Sequence, residues 1–511
     1  MKNLSLNIFI LFLLINLLIT GGRIASSDET SVYLLVENIV QHGKLDIPAG
    51  IVGNGSMADG KFYIWYEIGQ ALLAIPLYTA ALGLSAVAQL PDHLRTLFIK
   101  AVMGTFNAFI GAWWAVLMFK FGSRFGYSKR ASFLLTAALC LSTFALPYFK
   151  TFLREPLLAL SILGACYYLY RWQHEENSSR FLLFAGAFAA GGVLVRVAYL
   201  MDALVYFLFV AYVLRNISDR MKQIAKAFFT LLFPILVSGA IIAWYNYARF
   251  GSVVNMGYQT AGITFHIPFY VGLFGLLLSP GKGFFFYAPL AIVGVFGLSK
   301  LVSQRKSFSY LWLSLIFVNL AFFSKYMAWG GDGSWGPRYL FPLLPFFILP
   351  VGEIFERGKK FHRTFAYGLI AAGFVIQLGG TTIYAGTYLR EIGEYPYTRS
   401  WEDPEFLYKA HFVPYYSPII GHWKMALRNV REHVDGNIPS LTISEETQSN
   451  RIPVQGNSEA ALQHTLDYWF CYPLYIGYHS ILFLIVPFFV LLLTTVQWLR
   501  VRRLLLDFQT A

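Results

Sequence analysis

Charge is what this sequence has least of. Of 511 residues, only 13% are Asp, Glu, Lys or Arg, while 57% are hydrophobic; a soluble domain carries about 25% charged residues. That deficit argues against an ordinary water-soluble enzyme. Cysteine is nearly absent. Cys140, Cys166 and Cys471 are odd in number, lack metal-ligand spacing and give no disulfide framework. The histidines His42, His266, His411 and His422 show no HExxH-like spacing, so a catalytic zinc site has no support. No repeat and no low-complexity tract interrupts the chain. The SPGKG stretch around Lys282 lacks full P-loop spacing and follows no strand, which argues against nucleotide binding.

Long apolar runs fill the space that charge leaves. NLSLNIFILFLLINLLIT and SILFLIVPFFVLLLTTVQWL approach the ~20 residues that cross a bilayer core. The expected fold is all-α and polytopic. The first run reads as an uncleaved anchor rather than a secretory signal, despite Lys2 and the small residues near Ala25, because many spans follow it. The formal net charge is +13, and retention of basic loops inside accounts for much of it without nucleic acid. Basic clusters around Lys120–Arg130, Arg215–Lys226, Lys300–Lys306, Arg357–Arg363 and Arg500–Arg503 belong in the cytoplasm on this rule. The resulting spans lie near 4–20, 97–119, 131–149, 155–171, 181–195, 199–214, 224–244, 283–299, 309–325, 338–354, 364–384 and 479–499. They number about twelve, with both termini inside.

Residues 68–90 are long enough to be a thirteenth span, but counting them would put the Lys120–Arg130 cluster outside. They are therefore expected to form a membrane-dipping or interfacial helix. On this reading residues 1–384 form the multi-spanning catalytic domain, with an outer loop at 21–96. Residues 385–478 form an extracytoplasmic segment, and 479–511 the last helix and tail.

The stretch SSDETSVYLLVENIVQH places Asp28 and Glu29 just after the first apolar run. Val32, Leu35, Val36, Ile39 and Val40 then recur on one helical face. Asp28 and Glu29 are both candidate catalytic carboxylates: Ser26 and Glu29 have capping-box spacing, which also gives Glu29 a structural reading, whereas Asp28 is not used by that motif. Isolated charges also recur at outer boundaries: Lys61 and Glu67, Lys150, Arg154 and Glu155, Arg196, Lys282, and Arg338. Charges at such depth are costly and usually pair or face a cavity. One carboxylate base beside several cations is what transfer from a phosphate leaving group requires. The base takes a hydroxyl proton, and the cations hold the developing phosphate charge.

Taken in order, these residues resemble a family. The acidic pair, the amphipathic helix, GKFYIWYEIGQALLAIPLY, TFLREPLLALSIL, AGGVLVRVAYL, WYNYARFGSVVNMGY, GLLLSPGKGFFFYAPL and WGGDGSWGPRYLFPLLP are similar to segments of lipid-carrier-dependent glycosyltransferases of the GT-C superfold. Within it they look most like the protein O-mannosyltransferase and lipid A aminoarabinose transferase branch. The resemblance implies an Asp base at Asp28 and a polyprenyl- or dolichyl-phosphate sugar donor. It also implies inversion at the anomeric carbon, on the extracytoplasmic face of the inner or plasma membrane. The acceptor would be an envelope glycan, lipid or protein. The Lys-Pro-Pro motif of the aminoarabinose branch is missing where Tyr66-Glu67-Ile68-Gly69 stands, so sugar and acceptor stay open.

Each candidate also has a bland reading. Arg338 suits a donor phosphate bidentately, or snorkels to headgroups as Lys282 would. Asp332 pairs with Arg338 or makes a turn. Arg154 and Glu155 satisfy each other or contact substrate or a metal. Arg196 faces a cavity, since Asp202 is poorly spaced for a helical pair. Tyr63, Trp65 and Tyr66 stack on a sugar or anchor the interface. No cofactor is certain, and a divalent metal stays open. The rival functions are an envelope lipid transporter or flippase, an oligosaccharide ligase, and a catalytically silent organiser of envelope enzymes. Paired broken helices in repeated halves would mark a transporter, and the sequence has no such halves.

Overall fold

The computed structural model of the protein describes residues 2–175, 178–216, 219–258, 262–394, 405–441 and 458–510. Helix α1 (Lys2–Ile19) leads through a short bend into α2 (Ser27–His42). The start of α2 is fixed by the expected capping box: Ser26 Oγ accepts from the Glu29 N–H, and Glu29 accepts from the Ser26 N–H. Its end is fixed by Gly43 in the left-handed conformation. Val32, Leu35 and Val36 are buried as the spacing predicts.

A hairpin that the sequence reading did not include follows, with β1 (Gly55–Ala58) antiparallel to β2 (Lys61–Ile64). Its turn residues Asp59 and Gly60 both have positive φ. Asp-Gly between short β-prone runs is a strong hairpin signal, so the cue was present in MADGKF.

The remaining described architecture is helical. Next come α3 (Gly69–Val87), α4 (Asp92–Met103), α5 (Phe106–Arg124), α6 (Lys129–Leu141) and the single turn α7 (Ala145–Tyr148). They are followed by α8 (Glu155–His174), α9 (Ser179–Val195), α10 (Leu200–Val213), α11 (Arg220–Phe250) and α12 (Phe269–Leu278). Helix α8 lies between α5 and α9, and α1 packs on α5 and on the last helix, Leu482–Thr510. One continuous core includes the fully buried Trp114, Trp172 and Trp312.

Eight helical stretches among the described residues are long and apolar enough to cross a membrane. The twelve expected spans divide further because several are short or broken. Residues 131–149 split into α6 and α7, and 283–299 split at Ala288 and Pro289 into α13 (Phe284–Tyr287) and α14 (Leu290–Gln304). Residues 338–354 are wound from short α and 3-10 turns containing Pro342, Pro345 and Pro350, because proline removes a backbone donor and clashes with the preceding turn, yet Arg338–Arg357 remains one of the eight. Helices α1 and α9 are apolar but short, and α12 is a ten-residue apolar helix where only outer loop was expected.

Residues 68–90 form α3, one continuous 19-residue helix that passes through Pro76 and is among the eight. Leu72, Leu73, Leu84 and Val87 are exposed along it. Gly69 lets its first turn meet α9, since a Cβ there would lie 2.6 Å from the Leu194 carbonyl oxygen. The described parts of 385–478 pack back on the body, with Pro418–Val434 lying along α18 (Lys360–Thr382).

Candidate active site

The first turn of α2 is built around Glu29. One of its oxygens accepts from the Ala25 N–H (3.2 Å), the Ser26 N–H (2.7 Å) and the Ser26 hydroxyl (2.8 Å); the other accepts from the Phe152 N–H at 2.6 Å. Glu29 thus ties the start of α2 to the strand-like link before α8. Its neighbour Asp28 projects from the same turn, and Oδ1 accepts from Tyr66 (2.5 Å) and Asn54 (3.0 Å). Asp28 Oδ2 accepts from Arg338 Nη2.

Arg338 also donates through Nε to Glu155 Oε1 at 2.6 Å, so one guanidinium joins α2 to the N-terminus of α8. Arg196 stands where α9 ends in extended backbone, and it reaches the same Glu155 oxygen at 3.3 Å. Glu155 Oε2 is buried without a hydrogen-bond partner. Arg154 turns the other way, to Glu67 at 3.4 Å, and lies 3.8 Å over the Tyr66 ring. The adjacent Arg154 and Glu155 therefore take different partners. Asp202 does not pair with Arg196; it accepts from Asn319 at 2.8 Å.

Three carboxylates (Asp28, Glu67, Glu155) and three guanidiniums (Arg154, Arg196, Arg338) thus form one buried, charge-balanced network. Burial pushes the Asp28 carboxyl up, but Arg338 and Arg154 outweigh it and hold the carboxyl well below its ordinary range. The network borders a cavity of ≈ 500 Å³ whose wall includes Asp28, Arg338, Tyr148, Lys150, Asp332 and Asp467.

Other expected residues sit apart. Lys61 is exposed on β2, opposite Ala58. Tyr63 is buried against Phe250, with ring centroids 5.7 Å apart. Lys282 is buried, and its ammonium donates to the carbonyl oxygens of Asp332 (2.8 Å) and Ser334 (2.5 Å). Lys150 is at the cavity but paired to Asp467 at 2.6 Å, and Arg23 holds the same carboxylate at 2.8 Å. Asp467, Arg23 and Asn54 carry no signal in the sequence, because their partners are far away along the chain; Tyr66, expected to stack on a sugar or anchor the interface, donates to Asp28 and lies under Arg154. Asp332 takes the turn reading for its backbone, with φ 55°.

Among the described residues, no group of three or more His, Cys, Asp or Glu is placed to hold a metal. The carboxylates of the network are already matched by guanidiniums. Such a charge-matched donor set does not fit a divalent cation.

The arrangement of this helical membrane body is that of the GT-C glycosyltransferase fold, as the sequence resemblance implied. The oligosaccharyltransferase of Archaeoglobus fulgidus, solved with zinc and sulfate, is similar with a TM-score of 0.51 at 14% identity, over 82% of this chain. The chain spans 61% of that enzyme's length. ArnT from Cupriavidus metallidurans, solved with undecaprenyl phosphate, gives 0.48 at 13% identity, covering 91% of this chain and 85% of that one. The Archaeoglobus enzyme AglB with an inhibitory peptide and dolichol-phosphate gives 0.49 at 13%, over 83% and 63%. At these identities the likeness is one of fold. No family model matches the sequence, and no curated protein matches it.

Proposed function

We propose that the protein is an inverting glycosyltransferase that moves a sugar from a polyprenyl-phosphate donor to an envelope acceptor on the extracytoplasmic side. The observation that carries this reading is the Arg338 guanidinium, which joins Asp28 to Glu155 at the wall of a cavity. The donor phosphate takes the Arg338 edge now given to Asp28, and Arg154 and Arg196 add positive charge behind it. Fixed cations in a site of low dielectric stabilise charge that develops on a leaving group without reorganising. Asp28, relieved of its guanidinium partner, regains basicity and accepts the proton of the acceptor hydroxyl. Glu29 positions Asp28 through its four hydrogen bonds.

The test is undecaprenyl-phosphate binding to the purified full-length protein, with glycan analysis of source cells lacking the chain. Wild type is expected to bind the lipid phosphate. One envelope sugar should be missing from the deleted cells and restored by the wild-type gene. No binding and an unchanged envelope would refute the reading.

A further inference from the structure

The cavity wall carries a second aspartate that the donor chemistry does not use. Asp332 lies in the loop GGDGS, six residues before Arg338, and its Oδ1 is buried without a hydrogen-bond partner. Its backbone is left-handed at φ 55°, a turn conformation that Asp adopts more readily than most residues. Gly331 beside it is needed for close approach, since a Cβ there would meet the Arg338 Cβ at 2.8 Å. Lys282, the cation placed to neutralise Asp332, donates to main-chain oxygens of the loop. It fixes the loop and leaves Oδ1 unoccupied. The groups facing Asp332 are Lys282, Arg338, Asp28, Tyr326, Tyr339 and His411.

We infer that Asp332 is the acceptor-side carboxylate of this cavity: its carboxylate receives the hydrogen bond of a hydroxyl on the incoming acceptor and holds it toward Asp28. This rests on the glycosyltransferase reading. In the transfer, the acceptor oxygen bonds to the anomeric carbon as that carbon's bond to the phosphate oxygen breaks. The electron pair leaves on the phosphate, and the acceptor proton passes to Asp28. Burial pushes the Asp332 carboxyl up to about 7, with Asp28 raising it and Arg338 and Lys282 opposing. Two carboxylates whose environments drive them apart divide the work in this way: one stays ionised and one is poised near neutrality.

The experiment uses Asp332→Asn and Asp332→Gly in the full chain, because both residues accept a left-handed backbone. Infrared titration of wild type is expected to show a carboxylic C=O band that disappears as pH rises through about 7 and is absent from Asp332→Asn. A raised native carboxyl destabilises the fold once it ionises, so the Tm gain of Asp332→Asn over wild type should be largest at pH 8 and fade towards pH 4. Undecaprenyl-phosphate affinity should stay unchanged. Restoration of the missing envelope sugar should fall at least about tenfold in Asp332→Gly, which removes the acceptor, and less in Asp332→Asn, whose amide oxygen still accepts. Full restoration by Asp332→Gly, or titration of Asp332 in the ordinary carboxylate range, overturns the inference. Failure of wild type to bind undecaprenyl phosphate sinks the donor reading instead, and the infrared titration still decides whether Asp332 stands unpartnered in the cavity.

Discussion

Asp28 and Glu29 are neighbours with opposite fates. Both line the cavity, but Glu29 is consumed by the helix cap and by the Phe152 N–H, whereas Asp28 is held by Arg338, Tyr66 and Asn54. If Asp28 is the base, Asp28→Asn keeps the geometry of the first turn and removes proton acceptance. Turnover should then fall by about 100- to 10,000-fold, while lipid-phosphate binding persists. Glu29→Gln should instead lower Tm with a milder loss of turnover, since Gln still completes a capping box. Near-normal turnover in Asp28→Asn beside a large loss in Glu29→Gln would move the base to Glu29. For Arg338, replacement by Ala should weaken lipid-phosphate binding by about 1.5–3 kcal/mol, the range of a charge-assisted contact. Arg338→Lys should restore only part of it, because the planar fork that spans Asp28 and Glu155 is lost. Equal binding calorimetry for all three proteins would leave Arg338 a purely structural tie.

Between elements, the strongest test is the clamp on Asp467. Arg23, between α1 and α2, and Lys150, between α7 and α8, hold this one carboxylate from the 385–478 segment. The Asp467 N–H also bonds to the Thr382 carbonyl at the end of α18. Burial pushes the Asp467 carboxyl up, but the two cations hold it well below its ordinary range. A carboxyl depressed in the native state stabilises the fold above its unfolded value, and that contribution is lost as pH falls below about 4. Asp467→Asn should therefore destabilise by about 3–5 kcal/mol near neutrality, since two buried cations lose their partner. The gap from wild type should narrow on acidification. Urea or thermal unfolding in detergent checks both, and a pH-independent gap would show that the clamp is not electrostatic.

At the scale of the whole molecule, the basic clusters predict a topology that reporter fusions read directly. Reporter fusions after Tyr127 and after Lys306 should report cytoplasm, and fusions at Gly50 and Gly436 the outside, as the positive-inside rule requires. The continuous helix α3 makes the first of these decisive. An outside signal at Tyr127 would mean that Gly69–Val87 crosses and that the basic-loop assignment beyond it is inverted.

Composition by itself determined the class, because a chain with half the usual charge buries its helices in lipid. Local motifs were legible for the same reason: the Ser26–Glu29 cap and the apolar face of α2 depend on residues within two turns of each other. The charged candidates were legible one at a time, since an isolated charge beside an apolar run stands out in any sequence. Their partners were not. Arg338 lies 310 residues from Asp28 and 183 from Glu155, and Arg23 lies 444 from Asp467; no periodicity links such positions. Only the packing of α2, the α8 start, the α9 end and the 331–338 loop decided that Arg154 and Glu155 part company, that Lys61 and Tyr63 stay outside, and that Lys282 holds backbone. A buried charge takes whichever partner the tertiary fold brings within hydrogen-bond reach, because leaving it unpaired costs far more than local sequence preferences supply.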